Sequence, residues 1–160
     1  MNFQKFQESD INLKIQKTSN DTFLKKNKIK SSLISNPDFL ESSVDLDLYS
    51  DDLSINSGFI VYEDLTKRRN DRYEFILPRI DLIKSFDTNL NGELLLKSKN
   101  LVRNYQTNIL EKTNINDLVF NSNPKISMLG FSNNYEFIIK NTNSDPQNST
   151  NFKENDNYYF

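Results

Sequence analysis

Apolar and polar residues alternate with a period of two along most of the chain. In one stretch, Val44, Leu46 and Leu48 alternate with Asp45 and Asp47. Because successive side chains of a β-strand point to opposite faces, this pattern predicts a strand with one apolar and one polar face. Similar stretches recur along the chain, separated by clusters of Asn, Asp, Ser and Gly that are typical of turns.

The alternation predicts an all-β fold of about eight antiparallel, up-and-down strands and no helix. The turn residues 50–52, Ser-Asp-Asp, lie between two alternating runs and predict a tight hairpin. We expect a weak strand and a loop within 18–36, connections at 63–72 and 106–114, and a polar, flexible end from residue 142. The clearer predicted strands are 11–15, 39–49, 53–62, 73–86, 93–103, 115–120 and 126–141.

A single proline interrupts the long predicted strand at 73–86. Before it, Tyr73 and Phe75 occupy odd positions, whereas after it Ile80 and Leu82 occupy even ones. Proline has no N–H to donate to a neighbouring strand, so it is found at edges, bends and bulges. The change of parity predicts a β-bulge at Pro78 and Arg79.

Composition and charge narrow the classes of function. The 160 residues have room for one domain, and the net charge of -2 with a pI of about 5.2 argues against a nucleic-acid partner. Mean hydropathy is -0.69 and the apolar runs are short, so the sequence predicts no membrane-spanning helix. Without Cys or His the chain lacks thiolate metal ligands and the commonest general base. We therefore predict that the chain is not an enzyme and binds no cofactor.

The polar parity of the strands leaves two interpretations open. Lys97, Lys99 and Arg103 share one face of a predicted strand, and Asp45 and Asp47 share one face of another. Such faces are usual on the solvent side of a soluble sheet, and they are equally usual inside a water-filled lumen. The apolar faces accordingly meet either a protein core or lipid.

Three segments, taken in order, resemble one known family. Residues 70–81 read NDRYEFILPRID and resemble the "RYEYxLP" strand of the lipopolysaccharide-assembly outer-membrane protein family, LptD (also OstA). Residues 104–122, NYQTNILEKTNINDLVFNS, resemble the stretch that follows it in the family. Residues 130–144, GFSNNYEFIIKNTNS, resemble a later stretch. The resemblance is clearest over 21–149.

The resemblance implies a fold, a location and partners. Proteins of this family form a very large outer-membrane β-barrel with a periplasmic jellyroll, and lipopolysaccharide leaves through a lateral opening. The resemblance therefore implies a segment of a transmembrane β-barrel over residues 1–149, followed by a polar tail at 150–160. The implied partners are lipopolysaccharide, an LptE-like plug lipoprotein, the periplasmic Lpt bridge and outer-membrane lipid. Lys97, Lys99 and Arg103 are the implied lumen-facing residues that contact lipopolysaccharide.

Departures from the family pattern predict a fragment. A signal peptide, a jellyroll, many further strands and the cysteines of many relatives have no counterpart here. Predicted strands at 53–62, 73–82, 93–103 and 126–138 nevertheless reach the ~9–11 residues that a spanning strand needs. The alternative is a soluble antiparallel β-sandwich that binds a ligand or a protein and whose apolar faces meet across a core.

Overall fold

A computed structural model describes residues 6–28, 36–149 and 157–159, and nearly all of its regular structure is β-strand. The one α-helix in these residues, α1, has four residues, and a 3-10 helix of four residues precedes β4 at Arg69–Arg72. No helix in these ranges is long and apolar enough to cross a membrane. The elements are β1 (Glu8–Lys14), α1 (Phe23–Lys26), β2 (Phe39–Tyr49), β3 (Leu53–Asp64), β4 (Tyr73–Phe86), β5 (Gly92–Tyr105), β6 (Ile109–Ser122), β7 (Lys125–Ile126), β8 (Ser132–Asn133), β9 (Glu136–Gln147) and β10 (Asn157–Tyr159).

The strands form one antiparallel sheet in which neighbours in sequence are neighbours in space. The order is β1-β2-β3-β4-β5-β6-β9-β10, with seven consecutive strands followed by the short β10. β7 and β8 pair only with each other as a separate two-stranded sheet. β1 and β10 lie at opposite edges and do not pair in the described ranges, so the sheet is open. The predicted all-β, antiparallel, up-and-down fold is confirmed.

The predicted hairpin around residues 50–52 is present, because β2 and β3 pair along their whole length from Tyr49↔Ser54 to Phe39↔Asp64. The predicted connection at 106–114 is wrong. β5 and β6 are joined by a tight turn with positive φ at Gln106 and Thr107, and β6 already begins at Ile109. Pairing with both β5 and β9 makes 109–114 a strand, although its own alternation is weak.

The region 18–36 also differs from the prediction of a weak strand and a loop. Residues 23–26 form α1, and Leu24 of this helix packs with Leu40 and Leu65 as the buried apolar cluster of the fold. Asn20 forms a turn just before the helix, in which its side-chain oxygen accepts a hydrogen bond of 3.1 Å from the backbone N–H of Thr22. Residues 29–35 lie outside the described ranges.

The predicted strand 126–141 is two structures. Residues 125–133 form the small β7–β8 hairpin, whose turn contains Gly130 at φ 81°. β9 begins at Glu136 and runs to Gln147, so the predicted flexible end from residue 142 is wrong up to that point. Of the predicted tail, residues 157–159 form β10 against β9, while residues 150–156 and 160 lie outside the described ranges.

β4 has its irregularity where the sequence changes parity. Ile76 and Arg79 are three residues apart, whereas their partners Gly58 and Ile60 in β3 are two apart. Their partners in β5, Leu101 and Arg103, are also two apart. The extra residue therefore belongs to β4 and lies at the Leu77-Pro78 peptide, which is cis.

The sheet is a single layer, and little of it is buried. Large apolar side chains in the strands stay exposed, with 66% of Leu13, 42% of Val44 and 50% of Phe59 accessible. A β-sandwich would need a second sheet packed against these side chains. The described residues contain only the large sheet and the short β7–β8 pair.

Candidate functional site: the two faces of the sheet

The pairing register assigns every strand residue to one of two faces, because directly opposed residues in an antiparallel pair lie on the same side. We call one side the charged face and the other the apolar face. The charged face carries Asp45, Asp47, Arg79, Asp81, Lys97, Lys99, Arg103, Glu111, Asp117 and Lys140, and the apolar face carries Val44, Leu46, Leu48, Phe59, Ile80, Leu82, Leu94, Leu96, Leu118, Phe120, Phe137 and Ile139.

Charges on the apolar face are confined to the ends of the strands. In β1–β6 and β9 the charged residues on this face are Glu63, Lys84, Lys112 and Asp145. Each of these is paired: Glu63 with Arg72 at 2.7 Å, Lys112 with Asp145 at 3.1 Å, and Lys84 with Asp52. The middle of the apolar face therefore has no charge in the described strands.

The apolar side chains form a band that crosses the strands obliquely. One row across the sheet begins with Leu46 in β2 and Ile80 in β4, and continues as Asn100, Asn114 and Asn143. In β5, β6 and β9 the apolar residues lie nearer the β4–β5 turn, in the row Leu94, Phe120 and Phe137. The band thus shifts along the strands from β2 to β9.

Asparagine side chains hydrogen-bond to one another on the apolar face of β5, β6 and β9, in rows that the apolar band does not occupy. Asn116 accepts a hydrogen bond of 2.7 Å from the Ser98 hydroxyl, and Asn143 donates to Asn141 at 2.6 Å. Asn114 donates to Asn100 and accepts from Asn116 and Asn143. Because each amide uses a neighbouring amide or hydroxyl, polar groups lie on this face without charge.

On the charged face, Arg79 links three strands. Its Nη2 lies 3.0 Å from Asp45 Oδ1 in β2 and 2.8 Å from Asn56 Oδ1 in β3. Asp45 and Arg79 are both directly opposite Gly58 of the intervening strand β3. A Cβ at position 58 would lie 2.5 Å from Asp45 Oδ1, so the contact across β3 depends on glycine.

Arg103 forms a second network on the charged face. Its Nε donates to Glu74 Oε1 at 2.7 Å, and its guanidinium lies 4.2 Å from the centre of the Tyr105 ring. Glu111, opposite Arg103 in β6, accepts hydrogen bonds from Tyr105 at 2.7 Å and from Ser149 at 2.8 Å. Arg103 therefore contacts Glu74, Tyr105 and Glu111, the last at 3.9 Å.

Lys97 and Lys99 are exposed and lie nearer the β4–β5 turn than Leu101, the residue opposite Arg79. Lys97 is opposite Asp117, whose carboxylate is 3.5 Å from Lys140, and Lys99 is opposite Asp81. Neither lysine forms an ion pair with any residue that the structure describes. They border an open hollow of about 440 Å³. Its lining comprises Asp81, Leu82, Ile83, Lys97, Ser98, Lys99, Ile115, Asp117 and Lys140.

The structure places the predicted site residues on one face but not in one site. Lys97 and Lys99 share the hollow, whereas Arg103 lies beyond Leu101 and is engaged by Glu74. Pro78 lies in the irregular part of β4, and Arg79 belongs to the network with Asp45. Sequence reasoning missed that network, although a glycine inside a strand marks a close approach of neighbouring groups. In residues 6–28, 36–149 and 157–159, no three acidic side chains are grouped to hold a metal ion.

Ion pairs also hold the connections outside the strands. Arg72 donates to Asp21 at 2.7 Å, and this hydrogen bond holds the pKa of the Asp21 carboxyl below its ordinary value and raises the pKa of Arg72. Lys84 likewise lowers the pKa of Asp52 in the β2–β3 turn. Both carboxylates are therefore more stable as anions in the folded chain.

These shifts give a pH dependence with a definite sign. Because the folded pKa of Asp21 and Asp52 is below 3.8, their contribution to stability is full above that value and is lost as pH falls through the folded pKa. We expect the urea midpoint to fall on acidification below about pH 4. The double variant Asp21→Asn, Asp52→Asn should start lower and fall less. Equal acid sensitivity of both chains would contradict these assignments.

Comparison of the chain with family models, with curated proteins and with solved structures finds no match.

Proposed function

We propose that the chain is a segment of an outer-membrane β-barrel of the kind formed by the LptD family. In this role it is a piece of barrel wall, and it contributes to lipopolysaccharide transport and to assembly of the outer membrane. The observation that carries the proposal is the separation of charge between the two faces of a single-layer, up-and-down sheet. The resemblance in residues 70–81, 104–122 and 130–144 supplies the family.

The cost of charge in lipid explains why this separation supports a membrane wall. A Lys or Arg side chain facing lipid at the middle of a barrel strand costs about 2–4 kcal/mol, and the cost falls toward the interfaces. The apolar face keeps Glu63, Lys84, Lys112 and Asp145 near strand ends and pairs each of them. A surface facing water has no reason to exclude charge from its centre.

The oblique course of the apolar band supports the same proposal. Strands of a barrel tilt by roughly 35–45° from its axis, so a belt of lipid crosses them at an angle. The belt therefore meets successive strands at shifted positions. The shift from Leu46 in β2 to Leu94 in β5 and Phe137 in β9 has this form.

On the other side, the charged face is the proposed lumen wall. Carboxylates and basic groups are inexpensive there because water fills the space. Lys97 and Lys99 are the proposed contacts for the phosphates of lipopolysaccharide, since they are exposed and form no ion pair with a described residue. Arg103 and Arg79 act instead as structural cations that tie strands together. An LptE-like plug and the periplasmic Lpt bridge are the further proposed partners.

The edges of the sheet fit a segment of a larger wall. Among the residues that the structure describes, β1 pairs on one side with β2, no strand pairs with its other side, and β10 covers residues 141–143 of β9. Unpaired edges in lipid are not tolerated, so further strands of the same barrel must complete them. We propose that the chain functions as a fragment within such a barrel.

Detergent-dependent folding tests the proposal. We expect the purified chain to gain strand content in far-UV circular dichroism only with detergent or lipid, and its gel mobility to change on heating. A cooperative β fold in plain buffer, with no change on adding lipid, would sink the proposal for this chain. That outcome would favour the soluble binding module instead.

Substitution of Lys97 and Lys99 tests the lumen assignment. We expect Lys97→Gln with Lys99→Gln to weaken lipopolysaccharide binding by the folded chain, by about fivefold per lysine at low salt. The matched control removes two charges from the apolar face, Lys84→Gln with Lys112→Gln. An equal loss in both double variants would show that binding follows net charge and not the lumen face.

A further inference from the structure

The β7–β8 hairpin exposes more apolar surface than any other connection in the described ranges. The accessible fraction is 77% for Ile126, 84% for Leu129, 66% for Phe131 and 70% for Tyr135, and Met128 is fully exposed. Scattered single apolar residues on a surface are ordinary, but several consecutive ones form a patch that marks an interaction site.

The hairpin is an ordered projection. The backbone N–H of Ser127 donates to Phe131 O at 2.8 Å, and Gly130 N–H donates to Ser127 O at 2.9 Å. The Ser127 hydroxyl accepts from Phe131 N–H at 3.2 Å. Gly130 adopts φ 81°, which glycine tolerates without strain, and it closes the turn. These contacts hold Met128 and Leu129 at the tip.

The base of the hairpin is tied to the end of the large sheet. The backbone N–H of Ser122 donates to the Tyr135 carbonyl oxygen at 2.8 Å, and the backbone N–H of Tyr135 donates to the Ser122 hydroxyl oxygen at 2.7 Å. Asn123 bonds to Asn91 of the β4–β5 turn through both backbone and side chain, each at 3.0 Å. The projection is thereby fixed beside the part of the apolar band that contains Phe120 and Phe137.

The distribution of charge along the β7–β8 hairpin indicates what kind of surface it binds. Between residues 122 and 135 the one charged residue is Lys125, which lies in β7 at the base, and Tyr135 lies at the other side of the base. An apolar tip with a basic and an aromatic residue behind it matches the profile of a membrane surface, where the tip enters acyl chains and the base meets headgroups. By parity, Tyr135 also continues the column of Phe137 and Ile139 on the apolar face.

We infer that the β7–β8 hairpin is a lipid anchor, whose tip Met128-Leu129 inserts into the acyl region of a bilayer while Lys125 contacts anionic headgroups. This role goes beyond the proposed barrel wall, because the hairpin lies outside the large sheet. It fixes one end of the sheet at the membrane interface.

Because the chain has no cysteine, single labels report each site without background. The test uses an environment-sensitive fluorophore on Leu129→Cys, on Asn89→Cys in the β4–β5 turn at the same end of the sheet, and on Phe59→Cys of the apolar face. Vesicles contain phosphatidylcholine with phosphatidylglycerol and a share of lipids that carry a nitroxide quencher on the acyl chain. We expect a blue shift and acyl-chain quenching at 129 and neither at 89.

The label at 59 separates this inference from the proposed function. Quenching at 59 but not at 129 overturns the anchor and leaves the barrel wall standing, with an apolar groove of a partner protein as the hairpin's occupant. Quenching at 129 but not at 59 supports the anchor and contradicts the barrel wall. Quenching at neither position overturns both.

A separate measurement tests the contact of Lys125 with anionic headgroups. We expect Lys125→Gln to lower the affinity of the chain for the anionic vesicles by about fivefold at low salt and to leave binding to pure phosphatidylcholine unchanged. The control is Lys26→Gln, in α1 near the opposite end of the sheet. Equal losses in both variants would overturn the headgroup contact.

Discussion

Replacing Val44 with lysine is expected to destabilise the lipid-folded sheet by about 2–4 kcal/mol. Val44 is at the middle of β2 on the apolar face, flanked in register by Leu13 and Phe59. In the proposed barrel wall these side chains face acyl chains, and a lysine there would have neither water nor a counter-ion. If the face were in water, replacing a side chain that is 42% exposed would change stability by less than about 0.5 kcal/mol.

The measurement is urea unfolding of the chain in vesicles, followed by the heat-modifiable band. The matched control is Asn12→Lys, which adds the same charge to the charged face, directly opposite Asp45. We expect the control to be neutral or slightly stabilising, because the new lysine gains a carboxylate neighbour. Similar unfolding curves for the two variants would remove the energetic support for a lipid-facing side.

Gly58→Ala is expected to cost about 1–3 kcal/mol, the usual range for an added group in a filled space. The new Cβ would lie 2.5 Å from Asp45 Oδ1 and 3.1 Å from the Val44 carbonyl oxygen. The carboxylate can move more easily than the backbone, so we expect Asp45 to rotate away and break its contact with Arg79. One methyl group would then disconnect β2 from β4.

A double-mutant cycle tests this mechanism. An Asp45→Ala background removes the carboxylate at 2.5 Å and leaves the Val44 carbonyl oxygen at 3.1 Å, so the cost of Gly58→Ala should fall by more than half. Ser57→Ala is the control, since it adds no volume and lies on the opposite face of β3. A cost for Gly58→Ala that is the same with and without Asp45 would locate the strain in the backbone and refute the proposed role of glycine.

Sequence alternation was enough to predict the strands whose two faces differ sharply. β2 and β3 are of this kind, because Val44, Leu46 and Leu48 alternate with aspartates. It was also enough to locate the irregularity at Pro78, since a change of parity leaves a trace in the side chains themselves. The all-β class follows from the same signal.

Alternation failed where asparagine replaces the apolar residue. Asn114, Asn141 and Asn143 are typical of turns in isolation, yet they lie inside β6 and β9. Their amides bond to one another across strands, and a single sequence cannot show which amides will meet. The start of β6 and the extent of β9 were wrong for this reason. The hairpin at 125–133 was missed because its apolar residues continue the strand pattern while its turn leaves the sheet.

The candidate site was predictable by face and not by partner. The shared face of Lys97, Lys99 and Arg103 follows from parity along β5, since all three lie at odd positions. That Arg103 is engaged by Glu74 while Lys97 and Lys99 are not depends on the register between β4 and β5. The bulge in β4 shifts that register by one residue, and nothing in the sequence of β5 indicates the shift.

The extra residue in β4 also makes this strand sensitive to a change of length. Phe75 before Pro78 has an odd number and Ile80 after it has an even one, yet the register places both on the apolar face. In both neighbouring strands the partners of Ile76 and Arg79 are only two residues apart. Deleting one residue here would restore a regular strand and turn one half of β4 over, so that its apolar side chains would lie on the charged face. The cost of such a deletion would therefore fall on half a strand and not on one side chain.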